Sequence, residues 1–264
     1  MQSQPAILYS CYHKLNRSGE QFVPEHILSF QLAGSLKIED GRQSYVFEAG
    51  SIRFHQRNHL LKFWKQLPLD GSEFKSLSIY FDQQMLLDFS REYGYASVTS
   101  PNQQAIVRLE PSRLYSSFLQ SLQPYEQIVG SAHQDLLQLK LKEALLILLK
   151  SNLELAGMLF DFTPPGKIDL EAFMVKNYLF NVSLERFAYL TGRSLATFKR
   201  DFEKLFHTSP GRWLLQQRLQ EAYHRIKEKG RRPSDVYLEV GFEDLSHFSF
   251  AFKKVYGIAP SLLT

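Results

Sequence analysis

Residues 198–210 read FKRDFEKLFHTSP, and residues 248–260 read FSFAFKKVYGIAP. Phe198, Phe202, Lys204 and Pro210 of the first stretch recur as Phe248, Phe252, Lys254 and Pro260 of the second, at a constant offset of 50. Leu195 likewise matches Leu245, and Phe206 matches the aromatic Tyr256. Register held over such a span argues for one supersecondary unit used twice. In each copy the apolar residues fall three, four and three apart: Leu195, Phe198, Phe202, Leu205, and Leu245, Phe248, Phe252, Val255. That spacing predicts one buried stripe on a helix.

Each copy comes after a shorter helix and a glycine turn. Ser183 is placed to cap a helix through Leu184, Phe187, Ala188 and Leu190; Thr191-Gly192-Arg193 turns the chain, and Ser194 caps the next helix. In the second copy Pro233 and Ser234 open a helix through Val236 and Val240, Gly241 turns the chain, and Asp244 caps the second helix of the pair. Helix, short glycine turn, helix is the helix-turn-helix plan, whose second helix enters the major groove. Between the copies, Ser209-Pro210 starts a helix and Gly230 ends it. Residues 210–229 span roughly 30 Å as a helix, against about 34 Å between successive major-groove faces on one side of B-DNA. Trp213, Leu214, Leu219, Ala222 and Ile226 give this helix an inward face. His207 stands where Gly257 stands in the second copy, at a turn expected to need positive φ.

Upstream, Phe160-Asp161-Phe162-Thr163-Pro164-Pro165-Gly166 breaks the pattern, so residues 160–167 are read as a linker between a domain at 1–159 and one at 168–264. The first eighty residues hold short β-rich runs at Ile27–Leu32, Leu36–Ile38, Tyr45–Phe47, Ile52–Phe54 and Leu77–Phe81, separated by glycine turns, which suggests a small barrel or sandwich. Gln83–Tyr93, Pro111–Leu122 and His133–Leu155 come next as helices. The last carries a leucine stripe at Leu137, Leu141, Leu145 and Leu148, read as a self-association surface with packing onto its own domain as the rival. The fold class is α+β: a small β-barrel with helices, then an all-α domain with two helix-turn-helix units.

Bulk properties agree. Of 264 residues, 44% are hydrophobic and 22% charged, a globular composition. A single cysteine, Cys11, leaves no internal disulfide and no CxxC pair. The first residues lack a basic stretch leading into an apolar run, so no signal peptide is expected. Leu136–Leu149 is too short, and too interrupted by Lys140, Lys142 and Glu143, to span a bilayer. No membrane association is expected, and a cytoplasmic location is. From Lys167 onward there are 16 Lys+Arg against 11 Asp+Glu (+5); the remainder has 15 against 16 (−1), which sums to the net +4. A basic C-terminal part suits a polyanion.

The phrases SLERFAYLTGRSLATFKRDFEKLFHTSPGRWL (183–214) and VYLEVGFEDLSHFSFAFKKVYGIAPS (236–261) make residues 168–264 resemble the DNA-binding domain of the AraC family of transcription activators. The resemblance implies a double-stranded DNA partner, and contact with RNA polymerase. It places base-contacting residues at Ala196, Lys199 and Arg200 and, by the offset, at Ser246, Ser249 and Phe250 with His247 beside them. Arg200 is the strongest candidate, because a guanidinium fork matches guanine O6 and N7. Phe250 departs from the family, which usually has arginine there. The chain also lacks the aromatic-Arg ending common in the family. Phosphate contacts are expected at Arg193, Ser194, Lys204 and Lys253, with Asp244, Arg231, Arg232 and Lys254 as further candidates.

In layout the N-terminal part resembles the family's sensor region, a cupin-like barrel followed by dimerisation helices. This implies a regulatory domain at 1–159, a homodimer through helix 133–155, and a small-molecule effector or a protein regulator. His13, His26, His55 and His59 are the available imidazoles, but no His-x-His with a following Glu is present, and His55 and His59 are expected at the surface. No Ser/His/Asp order, phosphate loop or carboxylate pair stands out. No catalytic residue, metal or cofactor is therefore expected. The alternatives are an interaction protein that keeps the helix-turn-helix fold and a cupin-type enzyme.

Overall fold

The structure, a computed structural model, describes residues 6–12, 21–96, 104–127 and 134–263. His13 and His133 lie outside the described residues. The strands are β1 (Ile7–Tyr12), β2 (Phe22–Val23), β3 (His26–Ala33), β4 (Ser35–Glu39), β5 (Ser44–Phe47), β6 (Ile52–His55), β7 (His59–Leu60), β8 (Lys62–Gln66), β9 (Phe74–Phe81) and β10 (Ile106–Leu109). Among them stand α1 (Gln83–Tyr93) and then α2 (Arg113–Ser121), α3 (Gln134–Ser151) and α4 (Ala156–Leu159). The rest is helical: α5 (Leu170–Asn177), α6 (Leu184–Leu190), α7 (Leu195–Phe206), α8 (Pro210–Lys227), α9 (Pro233–Glu239) and α10 (Leu245–Tyr256). The fold is α+β. The chain divides into two compact units, one made mainly of Val23–His59 and Phe63–Thr163, the other mainly of Pro164–Thr264.

In the first unit the expected single barrel is replaced by separate sheets. Five strands pair in the order β1-β9-β3-β6-β10, and three in the order β5-β4-β8. The cause lies at the end of β3. Its register against β9 shifts between Gln31 and Ala33, and Gly34 then turns the chain at φ +73, where an added Cβ would collide with the Gln66 carbonyl oxygen. Only glycine fits so tight a left-handed turn. The bend delivers β4 to the other sheet, so hydrogen bonding does not continue around a closed cylinder.

Strand alternation gives the five-stranded sheet two unlike faces. Leu28, Phe30, Ile52, Phe54, Leu77, Ile79 and Phe81 form an apolar face that packs on Leu86 and Phe89 of α1, Tyr115 and Phe118 of α2, and Leu141, Leu145 and Leu148 of α3. The leucine stripe of α3 is therefore interior, correcting its reading as a pairing surface. Leu136 and Leu139 (63% exposed) are the leucines of α3 left facing solvent. The opposite sheet face carries Ser29, Gln31, Arg53, His55 and Ser76, all buried. His55 is thus not a surface residue; it ends β6 with its side chain inward. His59 is only partly buried and contacts the Arg57 carbonyl through Nδ1.

His26 is also buried, stacked on Phe54 at 5.4 Å with its Nδ1 accepting from the Arg57 amide. Burial, reinforced by Arg57 and His59, lowers its pKa to about 3. Burial and Arg53 likewise push His55 well below the usual imidazole range. A free imidazole titrates near 6.5, so the unfolded chain takes up protons below that pH while the folded chain does not. Stability is then present above about pH 6.5 and is lost as the pH falls from there towards 3, by up to ~1.4 kcal/mol per pH unit for each histidine. Urea unfolding of the full chain between pH 7 and 5 should show this slope, and His26→Leu should flatten it. Equal slopes for the two proteins would contradict the assignment.

Candidate nucleic-acid interface

The second unit contains two cores joined by one helix. Phe187, Phe198, Phe202, Trp213 and Leu214 belong to the first. Leu219, Ala222, Ile226, Val236, Phe248 and Phe252 belong to the second. The 18-residue helix α8 supplies Trp213 and Leu214 to one and Leu219, Ala222 and Ile226 to the other. Its length corresponds to a rise of about 27 Å.

Local chemistry sets each helix-turn-helix. In the first, the Ser183 hydroxyl caps α6 by accepting from the Arg186 amide, and Ser194 caps α7 by accepting from Thr197. Gly192 turns at φ +65, where a Cβ would run into the Gly166 carbonyl carbon. In the second, Asp244 caps α10 by accepting from the His247 amide at 2.7 Å. His207 and Gly257 end α7 and α10 in the left-handed conformation, at φ 53 and φ 78. The expected positive φ at His207 is present.

The buried stripe differs in phase from the sequence expectation. Phe198 and Phe202 are fully buried, and the stripe continues to Phe206, whose ring lies 4.8 Å from Trp213. Leu205 is 49% exposed. In α10 the corresponding row is Phe248, Phe252 and Tyr256, with Tyr256 at 4.8 Å from Tyr223, while Leu245 and Val255 are exposed. A partner helix crossing at the C-terminal end of α7 and of α10 selects the i, i+4 aromatic over the i+3 aliphatic.

On the outward side, Ala196, Lys199, Arg200 and Lys204 of α7 are exposed. Arg200 makes one long ion pair, Nη2 to Asp201 at 3.6 Å. On α10, Ser246, His247 and Lys253 are exposed, Ser249 is half-buried and Phe250 is 69% exposed. Ser194 is exposed at its cap position. Arg193 lies differently: its side chain is only 8% exposed. Its Nε donates to Asp201 at 3.2 Å, and its Nη1 donates to the carbonyls of Thr191 and Ile168. The Arg193 hydrogen bond, with Lys167 and Arg200 nearby, holds the Asp201 carboxyl below its usual range. Arg231 is also engaged, on Glu239 at 2.8 Å, beside Arg225.

Two family models cover most of this chain. The one described as the ExsA N-terminal regulatory domain matches residues 26–157, half of the chain, and the one described as a helix-turn-helix domain matches residues 187–263. The chain belongs to the AraC family of DNA-binding transcription regulators. As an AraC-family member it is 24% identical to the HTH-type transcriptional regulator ExsA of Pseudomonas aeruginosa, over 87% of this chain and 82% of that protein. It is 26% identical to the virulence regulon transcriptional activator VirF of Yersinia enterocolitica, over 87% and 85%. A solved structure of ToxT from Vibrio cholerae aligns over 99% of this chain and 98% of that one, with a TM-score of 0.48 and 14% identity.

One residue of this AraC-family domain escaped the sequence reading. Arg218, in the middle of α8, donates from Nε to the Tyr178 carbonyl at 2.8 Å, from Nη2 to the Phe180 carbonyl at 2.7 Å and from Nη1 to the Gly241 carbonyl at 3.0 Å. Burial lowers its pKa to about 10, so it stays cationic at neutral pH. Gly241 turns at φ +90, and a Cβ there would lie 2.9 Å from both Arg218 Nε and the Leu179 oxygen. The guanidinium thus ties the segment after α5 to the turn of the second helix-turn-helix. The signal was its register: Leu214, Arg218, Ala222 and Ile226 form one i, i+4 row, and a charge in a buried row needs dedicated acceptors.

Proposed function

We propose that this regulator reads two successive major grooves of double-stranded DNA with α7 and α10, and that it activates transcription. The observation that carries the reading is the exposed row Ala196, Lys199 and Arg200 on a capped helix whose opposite side buries Phe198 and Phe202. Arg200, with one weak internal partner, is available to guanine; Ala196 suits a thymine methyl. Ser246, His247, Ser249 and Phe250 form the corresponding set on α10. Ser194, Lys204 and Lys253 are the phosphate candidates that face solvent, whereas Arg193 serves the turn that positions α7. Activation is supported by the named activity of VirF, and implies a contact with RNA polymerase. The division of labour is a regulatory domain at 1–159, a linker at 160–167 and a DNA-binding domain at 168–264. The first of these answers to an effector or a protein regulator and pairs two copies through the exposed face of α3. The protein works in the cytoplasm, with no catalytic role.

Competition binding across single-base variants of a selected site, at two salt concentrations, tests this. Arg200→Ala is expected to lose ~1–3 kcal/mol of discrimination at one base position. Phe250→Ala should change affinity with little change in preference, and binding should weaken steeply with salt. Salt-independent affinity would sink the DNA reading. A larger loss of preference in Phe250→Ala than in Arg200→Ala would reverse the ranking of the two helices. Specific binding unaffected by either substitution would favour Phe250 as a protein contact.

A further inference from the structure

We propose that the polar face of the five-stranded sheet binds a small organic carboxylate at Arg53 and Arg108. The site adds a ligand class to the N-terminal unit and does not depend on how the C-terminal unit reads DNA.

Arg53 and Arg108 are directly opposite each other in the antiparallel pairing of β6 and β10. Like charges at such a position destabilise a sheet. Both guanidinium groups also approach one ring: their central carbons lie 5.3 Å and 4.5 Å from the centre of Phe47. Among the described residues no carboxylate forms an ion pair with either. Arg53 is only 3% exposed. Its Nε donates to His55 Nε2 at 3.1 Å and its Nη1 to Gln31 Oε1 at 3.3 Å. A guanidinium has five N–H donors, so three of those of Arg53 have no protein acceptor among the described residues. Arg108 donates through Nη2 to the Val46 carbonyl.

The neighbours are built to hold these donors in place. Gln31 is anchored by its amide nitrogen on the carbonyls of Ala33 and Lys75, which leaves its oxygen for Arg53. Accepting through Nε2 makes His55 the Nδ1–H tautomer, and that buried Nδ1 has no partner among the described residues. A buried cation without a counter-charge is costly, and an arginine does not escape by losing its proton at neutral pH. An anion supplied from outside would answer the unused guanidinium N–H groups, for which a carboxylate is the planar, bidentate match. Ile27 and Ile106 flank His55 across the strands, and Phe63 packs on it at 6.0 Å. These side chains favour a ligand with an apolar body over a bare inorganic ion.

The probe is sodium benzoate, with benzamide as the uncharged isostere and sodium chloride and sodium phosphate at matched ionic strength. Thermal unfolding and calorimetric titration use the full chain without DNA, so failure here leaves the DNA-binding reading untouched. Benzoate should raise Tm saturably, and benzamide and chloride should not. Arg108→Gln, at an exposed position, should stay folded and weaken benzoate about tenfold, and Arg53→Gln should abolish the response. If Arg53→Gln does not fold, Arg108→Gln decides alone. Equal shifts with benzamide, a benzoate response unchanged in Arg108→Gln, a saturable response to phosphate but not benzoate, or no response at all would each overturn the proposal.

Discussion

Arg218→Ala is expected to lower the stability of the C-terminal unit by about 3–5 kcal/mol, because it strips the acceptors Tyr178, Phe180 and Gly241 of a charged donor inside the fold. For a unit of this size that corresponds to a fall in Tm of more than about 10 °C. Arg218→Lys should recover only part of the loss, since one ammonium cannot replace a planar fork aimed at three carbonyls. A second readout separates positioning from mere folding. With DNA sites in which the two half-sites are moved apart by one base pair, the wild-type protein should lose affinity sharply. At a temperature where Arg218→Lys is folded, that variant should show a shallower dependence on spacing. An unchanged spacing profile together with lowered stability would reduce Arg218 to a packing role.

Leu145→Glu is expected to unfold the N-terminal unit. Leu145 is fully buried beside Leu141 and Leu148 against the apolar sheet face. A carboxylate there has no partner in that apolar cluster, so the loss should exceed about 4 kcal/mol, the upper end for single substitutions. Leu136→Glu with Leu139→Glu sits on the exposed side of the same helix and should stay within roughly 0.5 kcal/mol of wild type per site. Sedimentation then tells whether that face pairs two copies: the double variant should be monomeric where the wild type is dimeric. A folded, monomeric Leu145→Glu protein would contradict the interior placement of the stripe.

Local chemistry decided which features were legible in the sequence. Ser183, Ser194 and Asp244 marked helix starts that the structure realises with side-chain caps, and α1 runs over the residues its pattern indicated. A cap needs only its own next three residues, so a single sequence suffices. The phase of the buried stripe needed more, because Leu205 and Phe206 are both apolar and only Trp213 on α8 chooses between them. In the sheet region β1, β2, β7, β8 and β10 went unread. Two of these are two residues long, and β8 carries Lys62 and Lys65. The run His55-Gln-Arg-Asn-His59 looks like a surface loop by composition, yet its first residue ends a strand and points inward. Polar residues at alternate strand positions normally face water, yet Ser29, Gln31, Arg53 and His55 are buried, and here they mark the candidate ligand face. Among the proposed base-facing residues, Lys199 and Arg200 came from the family resemblance and Phe250 from the repeat offset; helical phase agrees for all three, but it fixes which side of a helix a residue occupies and not what it meets.

Because Arg218 fastens both halves of the C-terminal unit to one helix, the distance between α7 and α10 is set before DNA arrives. Under the two-groove reading, a fixed spacer transfers any mismatch with the groove repeat to the duplex, which must bend or change twist between the half-sites. Base steps that no side chain touches then influence affinity through their deformability, with pyrimidine–purine steps favoured where the duplex yields. The recognition code of such a protein is therefore partly mechanical, written in the stiffness of the intervening DNA as well as in the edges of its bases.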